Sequence, residues 1–159
     1  MCPAEEGAGL RNEAVQVWRA TRSSASLHGS PATTNDADIC PQRGHANLAR
    51  LSHALVELDA RVRTEVEPDG LEFDRSASFL TTISMLNMTT MAGDLDLAFE
   101  PAGVGGYDEL VGRAVEVDLG DFTVLMASLD DVIHSKEAAD RPRDRAALPV
   151  LKALRDELT

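Results

Sequence analysis

The chain has 159 residues, 43% apolar and 26% charged, enough for one domain with its own core. Its formal net charge of −12 argues against non-specific DNA or RNA binding, because such a surface repels a phosphate backbone. Aromatic residues are only 4%, so the core falls to Leu, Val, Ile, Ala and Met. Cys2 and Cys40 show no metal-ligand spacing and fit a reducing compartment. The opening MCPAEEGAG lacks the basic and apolar regions of a signal peptide, and no apolar run reaches membrane-spanning length. These features predict a cytoplasmic protein with no membrane partner.

Residues 1–13 read as a loose acidic tail and 14–159 as a single domain. A weak strand is expected at 14–18, and His28-Gly29-Ser30-Pro31 signals a turn. A short element follows at 35–40, stopped by Pro41. Leu48, Leu51, Leu55, Leu58 and Val62 recur at three- and four-residue steps, which predicts a helix over 45–63. A polar turn at 65–70 precedes an ambiguous stretch at 71–79. Residues 83–90 and 95–99 read as a hairpin across Met91-Ala92-Gly93. After a glycine-rich loop at 101–106 come a short helix at 107–114 and a second hairpin, 115–119 with 122–127. Ser128 caps the next helix, with Asp131 at the capping-box position, and that helix runs to about Ala139. A basic turn at 140–143 leads to a last helix carrying Leu148, Leu151, Leu154 and Leu158, which Pro149 should kink or begin. The element order predicts an α/β protein of the α+β kind: a mixed sheet, helices packed on it, and a C-terminal helical pair.

The chemistry centres on two Asp-x-Asp pairs. On a strand, Asp36 and Asp38 leave one face while Ala37 and Ile39 leave the other, and Asp94 and Asp96 repeat the arrangement around Leu95. Two such strands side by side bring several carboxylates together, which is unfavourable unless a positive charge lies between them. A hard divalent cation, most simply Mg²⁺, supplies that charge. The plainer alternatives are a solvated strand face and, for Asp94, a cap on the Met91-Ala92-Gly93 turn.

Three segments carry a family resemblance. They are Leu27-His28-Gly29-Ser30-Pro31 with Thr34-Asn35-Asp36-Ala37-Asp38-Ile39; Gly93-Asp94-Leu95-Asp96-Leu97 with Phe99 and Pro101; and Ser128-Leu129-Asp130-Asp131-Val132-Ile133 with Ser135-Lys136-Glu137-Ala138-Ala139 and Arg141-Pro142-Arg143-Asp144. Together, over about residues 27–158, they resemble bacterial nucleotidyltransferase-like proteins related to abortive-infection and toxin–antitoxin transferases. The resemblance implies a nucleotidyltransferase-like fold. It implies that Asp36, Asp38 and Asp96 hold Mg²⁺ bound to a nucleoside triphosphate, with Asp96 helping to activate the attacking hydroxyl. Lys136, with Arg141 or Arg143, then neutralises the triphosphate, and Asp144 orients one of these basic groups. The plainer alternatives are a solvated helix face for Lys136 and, for residues 141–145, a basic helix junction paired with Asp140 and Asp144. The implied reaction moves a nucleoside monophosphate to a protein or RNA acceptor, and a cognate toxin or antitoxin is an implied partner.

One departure keeps an alternative open. The family has a Gly-Gly or Gly-Ser pair about a dozen residues before its first carboxylate, where backbone N–H groups approach the triphosphate. Thr21 and Arg22 stand there in this chain. That substitution and the acidity favour a catalytically degenerate interaction or regulatory protein; a start drawn from a shifted reading frame is a third reading. Elsewhere, His28, His45, His53 and His134 lack metal-ligand spacing, and Met85, Met88 and Met91 read as packing residues. Trp18 and Tyr107 fit packing better than base stacking. Of the fifteen basic residues only Lys136 and Lys152 are lysines, which draws attention to Lys136.

Overall fold

The structure, a computed structural model, describes residues 17–19, 36–118, 120–121 and 123–159, with 17–19 and Asp36 as backbone alone. The expected tail, the Thr21-Arg22 pair, Cys2, the His28-Gly29-Ser30-Pro31 turn and the Trp18 side chain lie outside that description.

Seven strands form among the described residues, with clean apolar–polar alternation in the fifth and sixth: β1 Val17–Arg19, β2 Asp36–Pro41, β3 Arg61–Val62, β4 Met85–Thr90, β5 Gly93–Ala98, β6 Val115–Asp118 and β7 Thr123–Met126. Their order is β3-β4-β5-β2-β1-β7-β6. Both hairpins, β4–β5 and β6–β7, form as the turn signals predict. The first closes on Thr90 opposite Gly93, with Thr90 Oγ1 accepting from the Ala92 N–H. Strand β2 runs parallel to β5 and antiparallel to β1, and β1 runs parallel to β7. The sheet is therefore mixed. The helices are α1 His45–Glu57, α2 Ala77–Leu80, α3 Tyr107–Leu110 with a 3₁₀ turn over Val111–Arg113, α4 Leu129–Ala139 and α5 Pro142–Leu158. The class is α+β, with α4 and α5 as the expected C-terminal pair. No helix among the described residues is long and apolar enough to cross a membrane.

Strand alternation divides the core in two. Met88 of β4 and Leu97 of β5 are fully buried with Leu48, Leu51 and Leu55 of α1 and Leu80 of α2, and Ile39 and Leu95 pack against them. Truncating Leu97 to Ala there costs about 2–5 kcal/mol through lost burial and the cavity left behind. On the alternate register of β2, Cys40 joins Tyr107, Leu110, Val132, Ile133 and Leu151 in a second cluster beneath α3, α4 and α5. Tyr107 is thus a core residue, as its packing role predicts. Of the three methionines, Met88 packs as expected, whereas Met85 and Met91 are exposed.

The structure corrects several boundaries. The helix expected over 45–63 ends at Glu57, and residues 61–62 form β3. The Asp59 N–H donates to the Val56 carbonyl and the Ala60 N–H to the Leu55 carbonyl, with Asp59 left-handed at φ 46°. This is a Schellman stop with Asp in the place glycine usually takes. Leu58 caps the helix, and Val62 continues the apolar spacing only by coincidence, as a strand residue. Strand β2 ends at Pro41, where the sequence places its stop, with Pro41 itself as the last strand residue. Pro149 does not begin the last helix: Pro142 does, in the first-turn position that needs no N–H, and Pro149 lies inside it. Asp94 does not cap the hairpin turn, because Thr90 does.

Candidate functional site

The parallel register of β2 and β5 sets Asp36 beside Asp94 and Asp38 beside Asp96 at the Cα level. Across β4 the row continues, with Asn87 opposite Asp96. Asp38 and Asp96 line a cavity of about 280 Å³, together with Met85, Asn87 and Ala98. The far wall comes from the α4–α5 junction: Val132, Ser135, Lys136, Ala139, Arg141 and Arg143. Segments far apart in sequence thus meet at one cleft, acidic on the sheet side and basic on the helix side.

The basic wall is built on one buried carboxylate. Asp144 is 1% exposed and accepts from Arg141 Nε at 2.6 Å and from Lys136 Nζ at 3.3 Å. Burial alone would raise its pKa, but the Arg141 hydrogen bond and the positive charges of Lys136 and Arg141 outweigh it, and the carboxyl lies below its ordinary value. Asp144 does not line the cleft; it sits behind the two bases and fixes them. Arg143 lines the cleft, and among the described residues it forms no ion pair.

The acidic wall holds a partner that spacing did not reveal. Arg63, just past β3, donates its backbone N–H to the Asn87 carbonyl at 2.9 Å. Its guanidinium reaches across β4 to Asp96 Oδ1 at 2.7 Å and to Asp94 Oδ2 at 2.9 Å. Burial would lower the guanidinium's pKa, yet the charges of Asp96 and Asp94 more than offset this and raise it. The apolar stripe assigned residues 45–63 to one helix and so hid Arg63. The run Arg61-Val62-Arg63-Thr64-Glu65-Val66, which alternates like a strand after Asp59, carries the signal that reveals it.

The donor chemistry bears on Mg²⁺, which binds oxygen, keeps several waters, and needs only one or two carboxylates when substrate phosphates complete its shell. Asp38 and Asp96 provide two carboxylates on one wall, opposite bases suited to phosphate. Among the described residues no group of three or more His, Cys, Asp or Glu forms a metal cage, and Asp36 enters by backbone register alone. The set fits a cation arriving with phosphate better than one held by protein alone. His45, His53 and His134 are exposed.

Cys40 also borders the cleft, with its thiol buried and donating to the Phe99 carbonyl at 3.5 Å. Burial, partly offset by Arg43, pushes its pKa to about 12, so it is a packing residue and not a nucleophile. No family model matches the chain, and no curated protein matches it in sequence.

Proposed function

We propose that the cleft binds a nucleoside triphosphate with Mg²⁺ and transfers its nucleoside monophosphate to a hydroxyl of a protein or RNA acceptor. The observation that carries this reading is the meeting of Asp38 and Asp96 with Lys136, Arg141 and Arg143 across one cavity. A metal triphosphate needs both signs of charge, the carboxylates for the cation and the bases for the phosphates. Asp38 and Asp96, with Asp36, hold the cation, which when bound withdraws charge from the phosphate oxygens. Arg143 and Lys136 take the triphosphate, and Asp144 keeps Lys136 and Arg141 in position. Asp96 takes the proton of the attacking hydroxyl as the new bond forms at the α-phosphate and pyrophosphate leaves.

A second reading, an interaction protein that keeps the fold without the reaction, also has support. The charges of the cleft are largely satisfied internally: Arg63 on Asp96, and Lys136 and Arg141 on Asp144. Calorimetry with each nucleoside triphosphate, with and without Mg²⁺, separates the two. The enzyme reading predicts binding that needs Mg²⁺ and is lost in Asp38→Asn. Absence of heat with every triphosphate, from folded protein, leaves the interaction protein.

A further inference from the structure

We infer that Arg63 is a built-in counter-cation of the acidic wall, a positioning residue that weakens the site's hold on a bare divalent cation. The inference rests on the metal–triphosphate reading of the cleft. Its ground is geometric. One guanidinium spans two carboxylates two residues apart on β5, at 2.7 Å and 2.9 Å, and one of them faces the cavity. The Arg63 backbone is anchored within reach of both, because its N–H donates to the carbonyl of Asn87, the residue opposite Asp96.

A cation bound by Asp38 and Asp96 meets two obstacles from this arrangement. Arg63 already occupies Asp96 Oδ1, and its positive charge repels a second cation nearby. A metal carrying a triphosphate brings net negative charge, and the repulsion disappears. Arg63 thus biases the site toward the metal–triphosphate complex over the free ion. The pair also keeps Asp94 and Asp96 from repelling one another when no metal is present.

The test is titration of the full chain with Mn²⁺ alone, followed by its paramagnetic resonance signal. Arg63→Gln keeps the side chain's polarity and removes the charge, so it should bind Mn²⁺ about five- to tenfold more tightly than the unaltered protein, a modest factor because Arg63 is partly exposed. Arg63→Lys should stay near the unaltered affinity, and Arg63→Gln/Asp96→Asn should lose the gain. A purely structural clamp would give no gain on its removal. Equal or weaker binding by folded Arg63→Gln, beside measurable binding by the unaltered protein, overturns the inference and leaves the site reading intact. Absence of Mn²⁺ binding in both overturns the inference alone, and the metal–triphosphate reading is then decided by the calorimetry with nucleoside triphosphate and Mg²⁺. If Arg63→Gln does not fold, the Arg63 side-chain resonances of the unaltered protein decide. Saturating Mg²⁺ should loosen the guanidinium and speed its rotation about the Nε–Cζ bond; an unchanged signal while Mg²⁺ binds refutes the inference.

Discussion

Asp144 has almost no exposed surface, and two cations are set against it. Replacing it with Asn leaves Lys136 and Arg141 without their partner; because both are partly exposed, the expected loss is about 1–3 kcal/mol, below that of a fully buried pair. The folded carboxyl has a lowered pKa, so its stabilising effect is complete above the ordinary carboxylate value and disappears as pH falls through the folded one. Urea unfolding should therefore show a gap between Asp144→Asn and the unaltered protein at pH 7 that narrows below about pH 4. A gap independent of pH would mean that packing, not charge, accounts for the effect. Cys40 gives a second residue-scale expectation. With its pKa raised to about 12 by burial, the thiol stays protonated and shielded. In a Cys2→Ser background, a thiol reagent should label it only at the rate of global unfolding; fast labelling of folded protein would contradict this burial.

At the scale of elements, two local conflicts in the sequence are open to repair. Asp59 stops α1 in a left-handed conformation at φ 46°, and its ion pairs to Arg61 and Arg75 are long, at 3.4 Å and 3.5 Å. Asp59→Gly should raise stability by about 0.5–1 kcal/mol in denaturant melts, because glycine adopts that conformation without a Cβ clash. Pro149 breaks the hydrogen-bond ladder inside α5, so Pro149→Ala should add about 1–2 kcal/mol. A loss of stability in either variant would show that the residue has a packing role outweighing its backbone cost. These same positions explain where the sequence was hard to read. The β4–β5 and β6–β7 hairpins and the Ser128 cap were legible because turn and capping residues act locally: Ser128 accepts from the Asp131 N–H, as the capping-box spacing implies. The end of α1 was not legible, because an Asp stop lacks the glycine signature and Val62 extends the apolar stripe.

At the scale of the whole molecule, the acidic wall was readable only in part. The Asp-x-Asp spacing predicts which carboxylates share a strand face, and the parallel β2–β5 register brings the two pairs side by side. The contribution of Arg63 depends on strand order, with β3 beside β4 and β4 beside β5, which no local pattern encodes. The Arg141–Asp144 pair is local, three residues apart at the start of α5, and was legible as a basic helix junction paired with its own acids, whereas Lys136 reaches Asp144 only because α4 packs on α5. The central claim is that both walls serve one ligand. Backbone NMR shifts during titration with Mg²⁺ and a non-hydrolysable nucleoside triphosphate analogue test it most directly. The account predicts that residues around Asp38 and Asp96 and residues 136–143 shift together, along one saturation curve. Shifts confined to one wall, or none at saturating ligand, would contradict it.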